Sequence, residues 1–123
     1  MPSTRDVGAA GEEAAARYLK RRGMRILHRN LHLGRTGELD IVAREGRTLV
    51  FIEVKAKLAG DTLGGFSNIT AAKQRKLVEL AQIYLQKHGG DHREVRLDAV
   101  EVEFLDDRMK KCEVRHLPDA FRA

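Results

Sequence analysis

Two acidic residues stand inside segments that are otherwise apolar. Glu53 directly follows the run Leu49–Ile52, and Asp40 lies between Leu39 and Ile41. An isolated buried carboxylate is costly enough that it takes up a proton unless a cation, a set of hydrogen-bond donors or a metal ion lies nearby. These two residues are therefore the first candidates for a site that holds a cation.

A tight turn between the two segments would place the two acids opposite each other. We predict a type II′ turn with Gly46 and Arg47 at its centre, because Gly46 can supply the positive φ that this turn requires. Asp40 then opposes Glu53 with Cβ atoms about 4.5 to 5.5 Å apart, and like charges so close destabilise a sheet unless something compensates. A divalent cation between the carboxylates would do so.

Lys55 lies on the same strand face as Glu53, since strand side chains repeat with a period of two. The pattern thus predicts a carboxylate pair with an ammonium group beside it. The spacing also allows a structural alternative: Glu38 and Lys55 form a cross-strand ion pair, while Asp40 and Glu53 reach solvent at the end of the sheet.

The elements that must position these residues follow from hydrophobic periodicity and turn signals. The order is helix, three strands, a glycine-containing loop over 59–68, helix and two strands, which indicates one α/β layer structure without repeats or linkers. The predicted helices are Thr4–Arg22 and Thr70–His88, and the predicted strands are Arg25–Leu33, Gly37–Arg44, Arg47–Lys57, Glu94–Phe104 and, as an edge strand, Lys111–Leu117.

Two helix-borne groups face the predicted sheet. On the first helix, Glu12 borders the apolar stripe. Glu13 lies on the solvent-exposed face with basic residues and is interpreted as one partner of a surface ion pair. Glu12 either joins the two strand carboxylates or caps a neighbouring backbone group. On the second helix Lys73 and Gln74 lean toward the sheet; Lys73 either meets a phosphate or carboxylate or extends its apolar stem to solvent.

Size and composition limit the classes of function. A chain of 123 residues with 42% hydrophobic residues and six aromatics, none of them tryptophan, predicts a single domain with a thin aliphatic core. One cysteine excludes an intramolecular disulfide and a cysteine-rich zinc site, which favours a reducing compartment such as the cytoplasm. The longest apolar run has four residues, so we expect no membrane span.

The charge balance favours a polyanionic partner. Lysine and arginine total 23 against 18 acidic residues, giving a net charge of +5. Two basic clusters stand out, and each is either a nucleic-acid contact or an ordinary solvated helix face. The first comprises Arg17, Lys20, Arg21, Arg22, Arg25 and Arg29, and the second comprises Lys73, Arg75 and Lys76.

Five ordered blocks of the chain together resemble the YraN family, uncharacterised bacterial proteins assigned to the PD-(D/E)XK nuclease superfamily. The resemblance extends from about Gly8 to Phe104, and the order and spacing of the blocks carry it. The blocks are Gly11-Glu12 with Ala16 and Leu19, Gly37-Glu38-Leu39-Asp40, Phe51-Ile52-Glu53-Val54-Lys55, Lys73-Gln74-Arg75-Lys76, and Arg96-Leu97-Asp98.

The resemblance implies a single-domain mixed sheet flanked by helices, in the restriction-endonuclease-like fold, and it assigns roles to residues. Asp40 and Glu53 would be the metal-binding acids, helped by the Val54 carbonyl; Lys55 would be the motif lysine. Glu12 would be a helix-borne acid that positions a second ion or its water. Gln74 and Lys73 would be the polar residues at the start of the second helix. Lys57 stands where arginine is common in this family. A lysine can supply positive charge there, but it cannot make the paired hydrogen bonds of an arginine guanidinium to a phosphate.

An oxygen-only ligand set suits magnesium or manganese better than zinc. The resemblance therefore implies a Mg²⁺- or Mn²⁺-dependent endonuclease that hydrolyses phosphodiester bonds of nucleic acid, with structured or branched DNA as the expected substrate. Binding would use Lys57, Lys73, Arg75 and Lys76 with the basic end of the first helix, Arg21 and Arg22. The alternatives are a nucleic-acid-binding module of the same fold without catalysis and a scaffold that docks another protein. No membrane partner is expected, and a homodimer is compatible with the sequence.

Overall fold

A five-stranded mixed sheet with one helix on each face forms the framework of the protein. The computed structural model describes residues 2–61, 69–89 and 94–121. The strands are adjacent in chain order; only β3 and β4 are parallel, and all other neighbours are antiparallel. The elements are α1 (Thr4–Arg21), β1 (Arg25–Leu33), β2 (Gly37–Glu45), β3 (Thr48–Leu58), α2 (Ala71–His88), β4 (Glu94–Phe104) and β5 (Cys112–Phe121).

The predicted α/β class and element order are confirmed. Most boundaries agree within one residue, whereas β5 continues four residues past the predicted end at Leu117. Its second half was missed because Pro118 interrupts the alternation of side chains and the register with β4 shifts there. Of the predicted loop over 59–68, residues 62–68 lie outside the described residues. Neither helix in the described part of the chain is long and apolar enough to cross a membrane.

Side-chain caps determine where the two helices begin. The Ser3 side chain accepts a hydrogen bond from the Asp6 backbone N–H at 3.0 Å, and the Asp6 carboxylate accepts one from the Ser3 backbone N–H at 3.3 Å, which completes a capping box. Thr70 likewise accepts from the Lys73 N–H at 3.2 Å. The α2 cap places Lys73 in the first turn of its helix, above the sheet.

Each face of the sheet carries its own apolar cluster. Along β3 the side chains alternate: Val50 and Ile52 pack with α1, whereas Leu49 and Phe51 pack with α2. On the α1 face the buried helix residues are mostly alanines, in agreement with the predicted thin core. Tyr18 is half-buried, and its hydroxyl lies 3.3 Å from the His116 ring nitrogen Nδ1 on β5.

Gly11 is the point where α1 comes closest to the sheet. A Cβ atom at this position would lie 2.3 Å from the Cβ of Ala56 on β3, far inside van der Waals contact. Glycine is therefore required at this crossing, and the close approach fixes the position of the next residue, Glu12, relative to β3.

A buried polar cluster, which we call the Asp98 network, ties β4 to β5 and to the end of α1. Asp98 is fully buried and accepts two bonds from the Arg96 guanidinium, at 2.9 and 3.0 Å. His116 on β5 lies 2.8 Å from the same carboxylate, and the Asp119 backbone N–H donates to it at 2.9 Å. Burial raises the pKa of Asp98, but the bonds from His116 and Arg96 outweigh it, so the pKa is lowered overall.

Glu45 extends the Asp98 network to the first helix. Its carboxylate accepts from Arg96 at 3.1 Å and from Arg22 at 3.0 Å. The Tyr18 hydroxyl lies 3.3 Å from the His116 ring nitrogen Nδ1. The C-terminal end of α1 is thereby held to β2, β4 and β5, through charge-assisted hydrogen bonds at Glu45 and the Tyr18 contact at His116.

Gly11→Ala should destabilise the fold by about 1 to 3 kcal/mol, because the added methyl group forces α1 away from β3. Chemical denaturation measures the change. Gly8→Ala is the matched control: it lies in the same helix with nothing within 4 Å of its would-be Cβ. That variant should be stabilised by up to about 1 kcal/mol, since alanine is the better helix former. Equal effects of the two substitutions would contradict the close approach at Gly11.

Arg96→Met should cost about 3 to 5 kcal/mol of unfolding free energy, because it leaves the buried Asp98 carboxylate without its main partner. Arg75→Met on the exposed side of α2 serves as the control and should change stability by no more than about 0.5 kcal/mol. Urea denaturation of both variants tests the difference, and an Arg96→Met protein as stable as wild type would contradict the structural role of the Asp98 network.

Candidate active site

The β2–β3 hairpin has the predicted register, but it opens before it reaches the acids. The pairs run from Glu45 with Thr48 to Ile41 with Ile52, and Gly46 has the positive φ of +60° that the turn requires. The ladder ends there. The prediction that Asp40 and Glu53 are directly paired residues of the β2–β3 ladder is therefore wrong.

Asp40 uses its side chain where the backbone ladder stops. Its Oδ2 accepts a hydrogen bond from the Val54 backbone N–H at 2.9 Å. The strands part at this point, while β3 continues in parallel pairing with β4, with Glu53 beside Ala99. The Asp40 carboxylate thus lies in the opening between the two strands, close to the strand that carries Glu53.

The carboxyl groups of Asp40 and Glu53 lie close enough for each to shift the pKa of the other. Burial, followed by the charge of Asp40 and the bond to it, raises the pKa of Glu53 to about 7. Burial also raises the pKa of Asp40, partly offset by the Val54 N–H. Burial and the neighbouring carboxyl thus disfavour the ionised form of Glu53, and a cation between the two groups would relieve this repulsion.

Two lysines adjoin this pair on the α2 face of the sheet. Lys55 Nζ lies 4.0 Å from Glu53 Oε1, and both side chains are about three-quarters buried. Lys73 reaches the same place from the first turn of α2, where its hydrogen bond and like-charge contact with Lys55 lower its pKa. The structure therefore adds a second ammonium group to the predicted arrangement.

The alternative in which Glu38 pairs with Lys55 is wrong for the described part of the chain. Glu38 instead lies opposite His32 on β1, with its carboxylate 3.1 Å from the His32 ring. The difference has a simple cause: the opening after Ile41 removes Glu38 from the β3 ladder.

Glu12 approaches the pair from the opposite side of the sheet. Burial and the charge of Asp40 raise its pKa, while a hydrogen bond from the Asn30 side chain lowers it. Its Oε1 is buried and has no hydrogen-bond partner among residues 2–61, 69–89 and 94–121. Glu12 is thus near enough to Asp40 for the two charges to repel each other, and a part for Glu12 at the acidic centre stays a prediction.

Asn30 is a site residue that the sequence did not reveal. It lies on β1 between the pairs Arg29 with Ile41 and Leu31 with Leu39, so it stands opposite Asp40. Its φ is +51°, a left-handed conformation that asparagine tolerates better than most residues. The only available signal was an asparagine inside an otherwise regular strand pattern.

The oxygen donors at this centre fit a hard cation. In the described residues no group of three or more His, Cys, Asp or Glu side chains is placed to hold one metal ion. Glu12 is thus a neighbour of the Asp40–Glu53 pair and does not complete a three-carboxylate cluster with it. An ion held by that pair would take its other ligands from backbone carbonyls, such as the predicted one of Val54, or from water, which is the ordinary behaviour of Mg²⁺.

The other predicted residues divide into three groups. Gln74 is turned to its own chain, since its side-chain amide donates to the Ile69 carbonyl at 3.1 Å. Arg22 belongs to the Asp98 network through its ion pair with Glu45, and its role as a nucleic-acid contact stays a prediction. The remaining cations are half-buried (Lys57) or exposed (Arg21, Arg75 and Lys76, the last 3.8 Å from Glu79).

Glu13 has the role predicted for it. Its carboxylate pairs with Arg17 at 3.8 Å along the helix and with Arg29 on β1 at 2.9 Å. The second contact ties the middle of α1 to the edge strand, beside Glu12 and Asn30.

The fold and site define a single-domain α/β protein with an acidic centre where two strands part, flanked by two lysines. The chain belongs to the uncharacterised protein family UPF0102, whose model matches residues 11–102. It is 42% identical over 120 residues to a UPF0102 protein of Symbiobacterium thermophilum, covering 98% of this chain and 99% of the relative. It is 40% identical over 115 residues to one of Anaeromyxobacter dehalogenans, covering 94% and 83%. The family-level resemblance predicted from the sequence blocks is thus confirmed.

The raised pKa of Glu53 predicts how stability depends on pH in metal-free buffer. A carboxyl whose pKa is higher in the folded than in the unfolded state contributes stability that is complete below pH 4.5 and is lost as pH rises through about 7. Glu53→Gln removes this loss and should be more stable than wild type at pH 8 by about 1 to 3 kcal/mol.

Urea denaturation between pH 5 and pH 8, with chelator present, measures this effect. Glu13→Gln is the control, because the pKa of this exposed acid is lowered by Arg29 and its removal should not stabilise the protein at pH 8. A Glu53→Gln protein that fails to fold, or that loses stability with pH as steeply as wild type, would show that the acidic pair is not strained.

Proposed function

We propose that this protein is a metal-dependent endonuclease that hydrolyses phosphodiester bonds of nucleic acid, with structured or branched DNA as its substrate. The observation that carries the proposal is the Lys55 ammonium 4.0 Å from Glu53, beside an acidic pair in which burial and the charge of Asp40 raise the pKa of Glu53 to about 7. Perturbed carboxyl groups with a cation beside them are typical of catalytic centres.

The proposal includes membership of the PD-(D/E)XK superfamily and its restriction-endonuclease-like fold. Three features support this assignment: an acid where β2 leaves β3, an acid and a lysine two residues apart on β3, and a further acid on the helix packed against that sheet. The parallel pairing of β3 with β4 gives the mixed sheet that the assignment requires.

Asp40 and Glu53, with the Val54 carbonyl, would hold Mg²⁺ or Mn²⁺. When bound, such an ion polarises the scissile phosphate and lowers the pKa of an attacking water. Lys55 would orient that water or stabilise the negative charge that develops on the phosphate. Lys73 adds a second positive charge beside Lys55 and would neutralise a phosphate oxygen.

Substrate binding would rest on phosphate contacts. Lys57 continues β3 beyond Lys55, and Lys73, Arg75 and Lys76 lie in the first turns of α2 on the same side. Binding of this kind releases counterions, so affinity should fall steeply with salt and depend little on sequence.

Lys55→Met should abolish cleavage while leaving nucleic-acid affinity nearly intact. One ammonium among many contributes little to binding, but its loss from the reacting phosphate should lower the rate by about 10² to 10³. The assay is a screen of purified protein on branched, single-stranded and duplex DNAs and RNAs with Mg²⁺ or Mn²⁺. Lys87→Met, in the last turn of α2, is the matched control and should cleave like wild type.

The outcomes separate the candidate functions. Metal-dependent cleavage that requires Lys55 supports the proposed enzyme. Salt-sensitive binding without any cleavage supports a non-catalytic nucleic-acid-binding module, and binding to neither DNA nor RNA contradicts both.

A further inference from the structure

We propose that the C-terminal end of α2 carries a second binding site, which takes a phosphate group of the nucleic-acid backbone. Its residues, which we call the α2-end site, are Arg25, Arg44, His28 and His88. The choice of nucleic acid as the source of the phosphate rests on the proposed function. The affinity for phosphate rests on the charges and contacts of the four residues alone.

Two arginines of this site face each other without a counter-charge. Arg25 on β1 pairs directly with Arg44 on β2. The Cβ atoms of such a pair lie about 4.5 to 5.5 Å apart, and like charges there destabilise a sheet unless something compensates. Among residues 2–61, 69–89 and 94–121, no acidic side chain forms an ion pair with either arginine. An anion bound from outside would supply the compensation.

The side chain of Arg44 also lacks a hydrogen-bond partner. Its Nε is buried and unpartnered within the described residues, although buried donors are ordinarily bonded. Arginine cannot relieve this state by giving up its proton. Arg96 shows the usual solution, since Asp98 and Glu45 accept hydrogen bonds from it. A phosphate offers the planar guanidinium two oxygens at once and would satisfy Arg44 in the same way.

The two histidines lie on the same face of the sheet as Arg44. Arg44 pairs with Leu49, which packs with α2, so its side chain faces that helix. His28 pairs with Val42, two residues before Arg44 on β2, and therefore lies beside Arg44. His88 ends α2, and the centroid of its ring lies 5.3 Å from that of His28. The four residues thus converge on one end of α2.

A buried tyrosine sets the positions of both imidazoles. His88 stacks on Tyr84 with ring centroids 4.3 Å apart, and His28 meets the same ring nearly edge-on at 5.5 Å. Tyr84 itself is buried against Phe51. Each imidazole carries at least one N–H donor, which can bond a phosphate oxygen. A basic residue at a helix C-terminus also complements the macrodipole, but this explains only His88 and not the three residues on strands.

The position of the α2-end site favours nucleic acid as the source of the phosphate. It lies on the same face of the sheet as Lys73, which adjoins the acidic centre from the first turn of α2. From Lys73 to His88 the helix spans about 22 Å, at about 1.5 Å per residue. Successive phosphates of a duplex strand rise by about 3.4 Å, so roughly seven base pairs bridge the two places. One nucleic acid can therefore contact both, which a free phosphate compound cannot.

Inorganic phosphate tests the site without metal or catalysis. With chelator present, phosphate at about ten times its Kd should raise the thermal unfolding temperature of wild type by about 4 to 7 °C. Arg44→Met should lose most of this rise. Arg25→Met, at an exposed position where folding is not at risk, should lose part of it.

Arg5→Met is the matched control for the phosphate response. This exposed arginine lies in the first turn of α1, on the other face of the sheet, so its loss should leave the rise intact. An undiminished rise in both Arg44→Met and Arg25→Met overturns the α2-end site. If Arg44→Met does not fold, an undiminished rise in Arg25→Met alone does so.

Binding of a branched DNA, followed by fluorescence anisotropy with chelator present, tests the source of the phosphate. For Arg44→Met the plot of log affinity against log salt should be shallower by about 1, because one phosphate contact is lost. Arg5→Met should keep the wild-type slope. A wild-type slope in Arg44→Met, with its phosphate response lost, overturns the nucleic-acid backbone as the source and leaves a free phosphate compound as the ligand.

The α2-end site and the proposed function can fail separately. If wild type binds neither DNA nor RNA while the phosphate response still requires Arg44, the endonuclease proposal and the nucleic-acid source are overturned and the phosphate site stands. If cleavage requires Lys55 but Arg44→Met matches wild type in both phosphate response and salt slope, the endonuclease proposal stands and the α2-end site is overturned.

Discussion

The hydrogen bond from the Val54 N–H to the Asp40 carboxylate is the constraint on which the site depends. It replaces a backbone pair at the point where β2 leaves β3, so the strands separate without leaving that buried donor unsatisfied. Because β3 continues to pair with β4 beyond this point, Glu53 and Lys55 remain on a rigid strand. The two helices then add Glu12 from one face and Lys73 from the other.

Two acids of the sheet show how surroundings separate a structural carboxylate from a chemical one. Asp98 is fully buried, yet Arg96, His116 and a backbone N–H supply it with donors, and its pKa is lowered. Glu53 is less buried but faces a second carboxyl, and its pKa is raised to about 7. The first arrangement favours a permanently ionised group that fixes the fold. The second arrangement favours exchange of a proton for a cation, as in a site that works with a ligand.

The parts of the fold with local signals could be predicted from the sequence. The Gly46 turn and the alternation along β3 depend on residues close together in the chain, and the structure agrees with both of them. The acids of the candidate site were identifiable for the same reason, since a carboxylate inside an apolar strand is visible in the sequence. Hairpin register failed only beyond Ile41, where side-chain chemistry at Asp40 ends the ladder.

What the sequence did not reveal depends on contacts between distant segments. Nothing near Asp98 indicates that His116 will meet it, and nothing near Arg22 indicates that Glu45 will bind that guanidinium. Asn30 was missed because its left-handed φ of +51° opposite Asp40 has no clear signal in the sequence.

The central claim is that Asp40 and Glu53 form a cation site at the opening between β2 and β3. Crystals grown without metal and then soaked in Mn²⁺, with diffraction data collected at the manganese absorption edge, test it most directly. The account predicts an anomalous peak within about 2.0 to 2.6 Å of oxygens from both carboxylates. A well-ordered site without a peak, or manganese bound only elsewhere while the two carboxyl groups stay bonded to each other, would contradict it.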